Sequence, residues 1–472
     1  MKRIFLLFAL TALCVACSRD DSETVPYNRA EDEKWVANDM VPRFLNGNAG
    51  VTQLKTIRTD EGKIILTWIR PEGDYTSPFF SSKLHLQVFN ADGSAVFSPE
   101  GIIVSEKPTM TYNTDYSVAL ASDGDILIAY WDVRDDNIQK ERNEIYLYRY
   151  KQSGAPVWSR DGVHFEIEGM NDMAYAASPT ICVSAGNIYV GAYFYDDASH
   201  NYQINRIDEN GAPVWDRNLK LNAKGVVMYP CEDGDAYAVY GNGSLGYEAV
   251  RLKADGTNAW SFPIPVESMA VGDSLYMKVP GVAVDGNGGL FLSYRVIFGS
   301  AGYQAINHLS ADGTTMPMSV NCNGIYGGDA GRFCIAARDS SALVAWAHKV
   351  DPSGTRGDLS VKMFKADGTA LWSDAVSICE NEEWGVTPVA VIPRQDGWII
   401  LYGEGVTWNA ARFNAQKLDN DGNTVWTRQL GSDMMLSSGF SVEYDADHAY
   451  IFYCYEDMSS DSGGMNAFCI SL

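Results

Sequence analysis

Six short segments of this chain put flat aromatic rings beside charged side chains in a way suited to holding a sugar. They are Trp68-Ile69-Arg70, Trp131-Asp132-Val133-Arg134, Tyr195-Asp196-Asp197, Tyr294-Arg295, Trp346-Ala347-His348-Lys349 and Tyr402-Gly403-Glu404-Gly405-Val406-Thr407-Trp408. An aromatic face packs on the apolar face of a pyranose ring, carboxylates accept from its hydroxyls, and Arg donates in pairs. The ligand-binding candidates are therefore Trp131, Asp132, Arg134, Asp196, Arg295, His348, Glu404 and Trp408. The same residue types could also do chemistry: two carboxylates flanking a glycosidic bond would hydrolyse it, and an Arg/His pair at a uronate would suit a lyase. Convergence of such groups is a property of the fold, so catalytic residues stay unassigned.

Packing competes with binding at several of these positions. A Trp or Tyr at the end of a strand, such as Trp68, Trp131 or Trp346, also fits between stacked sheets. His348 has no second His nearby, and Asp285-Gly286-Asn287 lacks the bidentate Glu of a calcium loop and reads as a turn, so no metal is expected. No nucleophile elbow, P-loop or HExxH motif occurs. With 36 Lys plus Arg against 60 Asp plus Glu, the formal charge is −24, which opposes nucleic acid and anionic lipid surfaces.

The elements that would position these segments are hairpins. Third-strand runs such as Leu84 to Phe89 lead into turn glycines at Gly93, Gly154, Gly211, Gly256, Gly313, Gly368 and Gly422, spaced by 45 to 61 residues. Asp, Asn or Ser precedes each glycine, the composition of a tight hairpin needing positive φ. Four residues after the glycine stand Phe97, Trp158, Trp215, Trp260, Pro317, Trp372 and Trp426. Two apolar strands precede each hairpin, so the unit is a four-stranded antiparallel sheet repeated radially: an all-β, eight-bladed β-propeller, with seven blades as the alternative. After Trp426 the chain supplies three more strands without a fourth, and Trp35 to Val41 is expected to provide it, closing the ring. The domain then spans residues 33–472. The turns between strands one and two and between three and four are short, so the long loops, and with them the candidate segments, gather on the opposite face.

The chain begins with Lys2-Arg3 and an apolar run to Val15, a signal peptide over residues 1–16. The run ends in Leu13-Cys14-Val15-Ala16-Cys17, which resembles a bacterial lipobox, and Ser18-Arg19-Asp20-Asp21 resembles the surface-export signal of Bacteroidetes lipoproteins. The resemblance implies lipidation at Cys17, a flexible tether over residues 17–32, and an outer-membrane lipoprotein that touches the membrane through its lipid alone and is open to display at the cell surface. The hairpins resemble the tryptophan-docking repeats of quinoprotein-type propellers, in which Gly is followed by three residues and Trp. The Thr before that Gly is Asp, Asn or Ser here, so no quinone site and no cofactor is carried over. The expected role is a monomeric binding or scaffold module for a glycan or an envelope protein, with a polysaccharide hydrolase or lyase acting in the propeller funnel as the alternative. The seven cysteines after Cys17 show no CxxC spacing and are expected to be free. Replacing Cys17 with Ala should move the protein from the membrane to the soluble fraction on cell fractionation; a variant that fractionates like wild type would refute lipidation.

Overall fold

The computed structural model describes residues 43–45, 52–72, 81–105, 107, 114–133, 143–170, 174–196, 200–241, 246–260, 263–267, 281–298, 301–319, 333–348, 357–381, 385–406, 409–431, 434–435, 440–457 and 462–472. Among these the regular structure is all strand, arranged in eight antiparallel sheets. Blade 2 is representative: Tyr116–Leu120, Ile126–Val133, Asn143–Tyr150 and Val163–Phe165 pair in sequence order. Innermost strands elsewhere are Thr52–Arg58, Tyr175–Ser184, Val226–Pro230, Gly281–Val284, Phe333–Arg338, Gly385–Arg394 and Phe440–Tyr444. The last lies beside the first, which brings blade 8 against blade 1 in a ring.

Second strands are nearly continuous apolar runs, such as Ile-Leu-Ile-Ala-Tyr over residues 126–130, because both of their faces are covered by neighbouring blades. Core clusters accordingly straddle blade boundaries. Ile145 and Leu147 of blade 2 pack with Val190 and Phe194 of blade 3, and Val239 of blade 4 packs with Leu292 and Tyr294 of blade 5.

The hairpin tryptophans join one blade to the next. The Trp158 indole N–H donates to the Glu209 carbonyl (2.8 Å), Trp215 to Ala254 (3.0 Å) and Trp372 to Asn420 (3.1 Å). Each acceptor lies two residues before the following blade's turn glycine. A Cβ added to Gly256 would stand 3.1 Å from the Trp215 ring, and one on Gly422 would stand 3.1 Å from Trp372, so these turns need glycine for the close approach as well as for φ values of 88° and 87°. Phe97 takes this place under Gly154, and Met316, next to Pro317, under Gly368. The structure differs from the sequence reading in one respect: Trp158, Trp215, Trp260 and Trp372 precede the fourth strand, and Trp426 lies within it. In blades 2, 3 and 6 the stretch leading to the Trp is held by a single bridge, Tyr150 to Pro156, Ile207 to Pro213 and Phe364 to Ala370, which lets the ring leave its own sheet for the next blade.

Behind these turns a basic group five residues before the glycine locks the first hairpin. Arg149 contacts Asp123 and Asp125 at 2.7 Å each and reaches the Glu209 carbonyl at 3.2 Å. Arg251 repeats this with Asp233, Asp235 and the Ala311 carbonyl. In blade 5 His308 Nε2 meets Asp285 at 2.8 Å, while the Asn287 and Gly289 amides donate to the other carboxylate oxygen, so Asp285 is occupied as a turn residue.

The eighth sheet carries Arg43–Leu45 as its outer strand, paired with residues 462–464. Trp35 to Val41, expected in that role, lie outside the described residues. Of the described cysteines, Cys182, Cys231 and Cys379 are free thiols.

Between blades 8 and 1, an apolar cluster that joins Leu66 and Trp68 to Phe452 and Met465 is flanked by a polar contact of the innermost strands. Thr56 Oγ1 meets Ser441 Oγ at 2.6 Å and donates to Glu443 at 2.9 Å, and Arg58 pairs with Asp445 at 3.1 Å. Burial raises the Glu443 carboxyl above its ordinary range despite Thr56 and Arg58. Burial also acts to raise Asp445, but the Asp447 amide, the Tyr450 hydroxyl, the His448 amide and Arg58 outweigh it and hold that carboxyl low. The two groups thus have opposite linkage. Asp445 contributes stability above the ordinary Asp pKa that is lost as pH falls through its depressed value. Glu443 contributes fully below the ordinary Glu pKa and is lost as pH rises through its raised value. Asp445→Asn should therefore cost ~1–3 kcal/mol at pH 7 and progressively less toward pH ~3. Glu443→Gln should raise the melting temperature at pH 7 and leave it unchanged near pH ~4. Thermal unfolding across that range checks both signs.

Candidate functional site

Counted four residues along strand two from Ile64, Ile126, Ile188, Ala236, Leu290, Ala342, Trp398 and Ala449, one row separates packing aromatics from the rest. It reads Trp68, Tyr130, Ala192, Tyr240, Tyr294, Trp346, Tyr402 and Tyr453 in blades 1 to 8. Every aromatic in this belt is buried, from 0% exposure at Trp68 to 6% at Tyr453, so the belt is inter-blade packing. Trp131 lies one residue out of that row and turns to the other face of its sheet. It is only half-buried, and it packs toward blade 3, where the belt has Ala192 in place of an aromatic.

Around Trp131 the structure gathers groups from three blades at the end where innermost strands begin and second strands finish. Tyr175 and Tyr195, half-buried on blade 3, lie with ring centroids 5.0 Å apart and share a cluster with Trp131. Burial, with Tyr195 beside it, raises the Tyr175 hydroxyl, and burial pushes Tyr193 up to about 12, so these phenols are neutral donors. The Trp131 amide donates to the Asp115 carbonyl (3.0 Å), and Thr114 Oγ1 donates to the Trp131 carbonyl (2.8 Å). From blade 1, Lys55 Nζ lies 3.3 Å from the Asp115 carboxylate and 4.4 Å from the Tyr116 ring centroid, and donates to the Tyr116 carbonyl. Gln53 Nε2 donates to the Thr114 carbonyl.

The backbone here is unusual. Innermost strands bulge in blades 1 and 3, and the bulges hold Gln53 and Ser178 at φ of 54° and 47°. Left-handed non-glycine residues cost of order 1–3 kcal/mol each and persist where surrounding contacts impose them. The Tyr202 hydroxyl, donating to the Ser178 carbonyl at 2.8 Å, is one such contact. Three blades thus build a seat in which an aromatic group (Trp131, Tyr175, Tyr195) adjoins a polar one (Gln53, Lys55, Thr114, Asp115) through the Trp131 backbone.

Of the residues expected from sequence, Trp131 is in this seat, and half-buried Asp196 follows Tyr195 directly. Asp132, on the opposite face of its strand, is fully buried and accepts from Ser105 (3.4 Å) and Tyr148 (3.5 Å). Glu404 and His348 are far along the ring, in blades 7 and 6. Glu404 is buried and accepts from Asn414 at 2.7 Å; burial, with Glu404 beside it, pushes the Cys379 thiol up to about 12. His348 Nε2 lies 3.0 Å from Ser360 Oγ, and burial lowers its pKa against Asp358 and Glu380. Arg295 sits in the strand Leu290–Phe298, opposite Gln304, with its side chain outside the described residues, as are Arg134 and Trp408 entirely. Gln53, Lys55, Asp115 and Tyr175 were not legible as site residues, because nothing in Thr52-Gln53-Leu54-Lys55 marks a bulge. Among the described residues no group of three or more His, Cys, Asp or Glu could hold a metal ion.

No protein-family model matches this chain, and no curated protein matches it. Solved structures with similar folds include a Dyadobacter fermentans protein of unknown function, at 16% identity and a TM-score of 0.39, covering 68% of this chain and 96% of that one. The polysaccharide lyase Uly1 is similar at 11% identity and a TM-score of 0.44, covering 96% and 95%. The NanB sialidase of Streptococcus pneumoniae is similar at 10% and 0.38, covering 79% and 68%.

The belt register predicts opposite outcomes for two tryptophans. Trp346→Ala should lower stability by ~3–5 kcal/mol, as expected for a buried Trp, whereas Trp131→Ala should cost less than half of that. Chemical denaturation of both variants checks the ordering.

Proposed function

We propose that this protein is a lipid-anchored binding module of the outer membrane whose propeller holds a glycan in the seat on blades 1 to 3. The observation that carries this reading is the half-buried Trp131, out of the packing register and joined to Tyr175 and Tyr195 beside the Lys55–Asp115 pair. Flat rings with hydrogen-bonding groups at their edge suit the two kinds of surface a pyranose presents. The lipobox at Cys17 supports the placement, and tryptophan-docking hairpins suit a rigid support for such a seat.

The test is a glycan array with the soluble form, followed by titration of the glycans retained. Wild type should bind at least one glycan, and Trp131→Ala should weaken that binding at least tenfold while the melting temperature falls by only a few degrees. Absence of any bound glycan, with an envelope protein recovered by pull-down in its place, would overturn the carbohydrate reading. New reducing ends or unsaturated products appearing on incubation would move the protein to the hydrolase or lyase class.

A further inference from the structure

We infer that Trp35 docks on the hairpin turn of blade 1, its indole N–H on the Ala91 carbonyl and its ring beneath Gly93, so that the lipid tether leaves the propeller on the hairpin face, opposite the seat. The anchoring half of this rests on the lipoprotein reading above; the docking half stands without it.

Trp35 lies outside the described residues, and the strand that follows it fixes its place. The outer strand of blade 8 pairs Arg43 with Gly464 and Leu45 with Ser462. The same pairing carried two residues back sets Val41 opposite Asn466, the partner of the belt residue Tyr453. In other blades the residue that reaches the next turn stands at a fixed distance before this row of the outer strand. Phe97 is six residues before Ile103 in blade 1, and Trp158 is six before His164 in blade 2. Trp215 is five before Lys220 in blade 3, and Trp372 is five before Ser377 in blade 6. Six residues before Val41 is Trp35, the one tryptophan in residues 1–42. Direction agrees as well: Ser462 begins its strand at the seat's end of the blade, so the chain followed back from Arg43 runs toward the hairpin face.

The receiving turn has the form that docking requires. The Asn90 amide donates to the Ser94 carbonyl (2.9 Å) and the Gly93 amide to the Asn90 carbonyl (2.8 Å), the same two bonds that Lys253 and Gly256 make in blade 4 (2.9 and 3.0 Å). These bonds do not use the carbonyl two residues before the glycine. In blade 4 that carbonyl, on Ala254, takes the Trp215 indole, and in blade 1 its counterpart is on Ala91. Gly93 has the φ of such a turn, 81° against 88° at Gly256. Blade 8 is also the blade that meets this turn, because Ala95, just beyond it, packs on the cluster that holds Phe452 and Cys469. The anchor then departs from the face opposite the seat, which keeps the tether clear of a bound ligand.

The test uses the soluble Cys17→Ala form. Glu33→Cys is combined in turn with Asp92→Cys in the blade 1 turn, with Ser81→Cys at the other end of that blade's third strand, and with Asp255→Cys in the blade 4 turn, and each is treated with a short bis-maleimide. Cross-linking of the Glu33/Asp92 pair should be at least about tenfold faster than that of either other pair, from its higher effective concentration. Trp35→Ala should lower the melting temperature about as far as Trp158→Ala, and Trp35→Phe should recover part of the loss, since a phenyl ring keeps volume without the bond. Cross-linking of the Ser81 or Asp255 pair as fast as the Asp92 pair would overturn the docking, as would a Trp35→Ala variant that melts like wild type. The cross-linking is done with Trp35 in place, so it decides the matter even where Trp35→Ala does not fold. A Cys17→Ala protein that stays in the membrane fraction would instead be the failure of the lipoprotein reading, with the docking left standing.

Discussion

The indole N–H that leaves one blade for a carbonyl in the next blade's hairpin turn is the contact on which the ring depends. A four-stranded sheet has two faces to bury and an outer edge to manage, and no blade can do either alone. The Trp215 bond to Ala254, with its ring pressed beneath Gly256, fixes both the spacing and the rotation between blades 3 and 4. Repetition at Trp158 and Trp372 carries the same rotation around the ring; on the same face Arg149 spans the boundary that Trp158 spans, and Arg251 spans the one between blades 4 and 5. Where no indole is available, Phe97 and Met316 still fill the space beneath the turn glycine, so volume is kept although the hydrogen bond is lost.

A rigid ring allows one of its faces to deviate. On the hairpin face Asp92, Asp208, Asp255, Asp312, Asp367 and Asp419 each accept from an amide of their own turn, local bonds of one repeating type. On the opposite face Gln53 and Ser178 take left-handed φ within their bulges, and strain of this kind can be held because the eight sheets around it are closely packed. Trp131 shows the same principle in a side chain. Seven aromatics of the belt are placed by the register of strand two, and the one blade that lacks a belt aromatic, at Ala192, is the blade toward which Trp131 turns.

Electrostatics divides along the same lines. Acids at the hairpins, such as Asp312 and Asp419, are held at low pKa by local hydrogen bonds, from Ser310 and Asn423 first, and remain charged outside the protein's working interior. At the seam of blades 8 and 1, burial instead raises Glu443 while local hydrogen bonds and Arg58 hold Asp445 low, so two neighbouring acids respond to pH in opposite directions.

Glycine turns, apolar strand pairs and the Trp four residues on determined the blade and its repeat, because these depend on local φ requirements and on a period that recurs along the chain; the count of eight, read from three strands after Trp426 with seven as the alternative, was decided by the eight sheets of the structure. Asp132 and Glu404 looked equivalent to Trp131 as candidates, since all three end a strand-two run beside aromatic residues. Only the tertiary structure separated them, because strand alternation sends Asp132 into a buried contact and Trp131 to the rim, and because Glu404 lies in another part of the ring. The seat itself was invisible for a related reason. Lys55, Asp115 and Tyr175 stand in three successive repeats, and what joins them is the lateral contact of innermost strands, an interaction between repeats that no single repeat encodes.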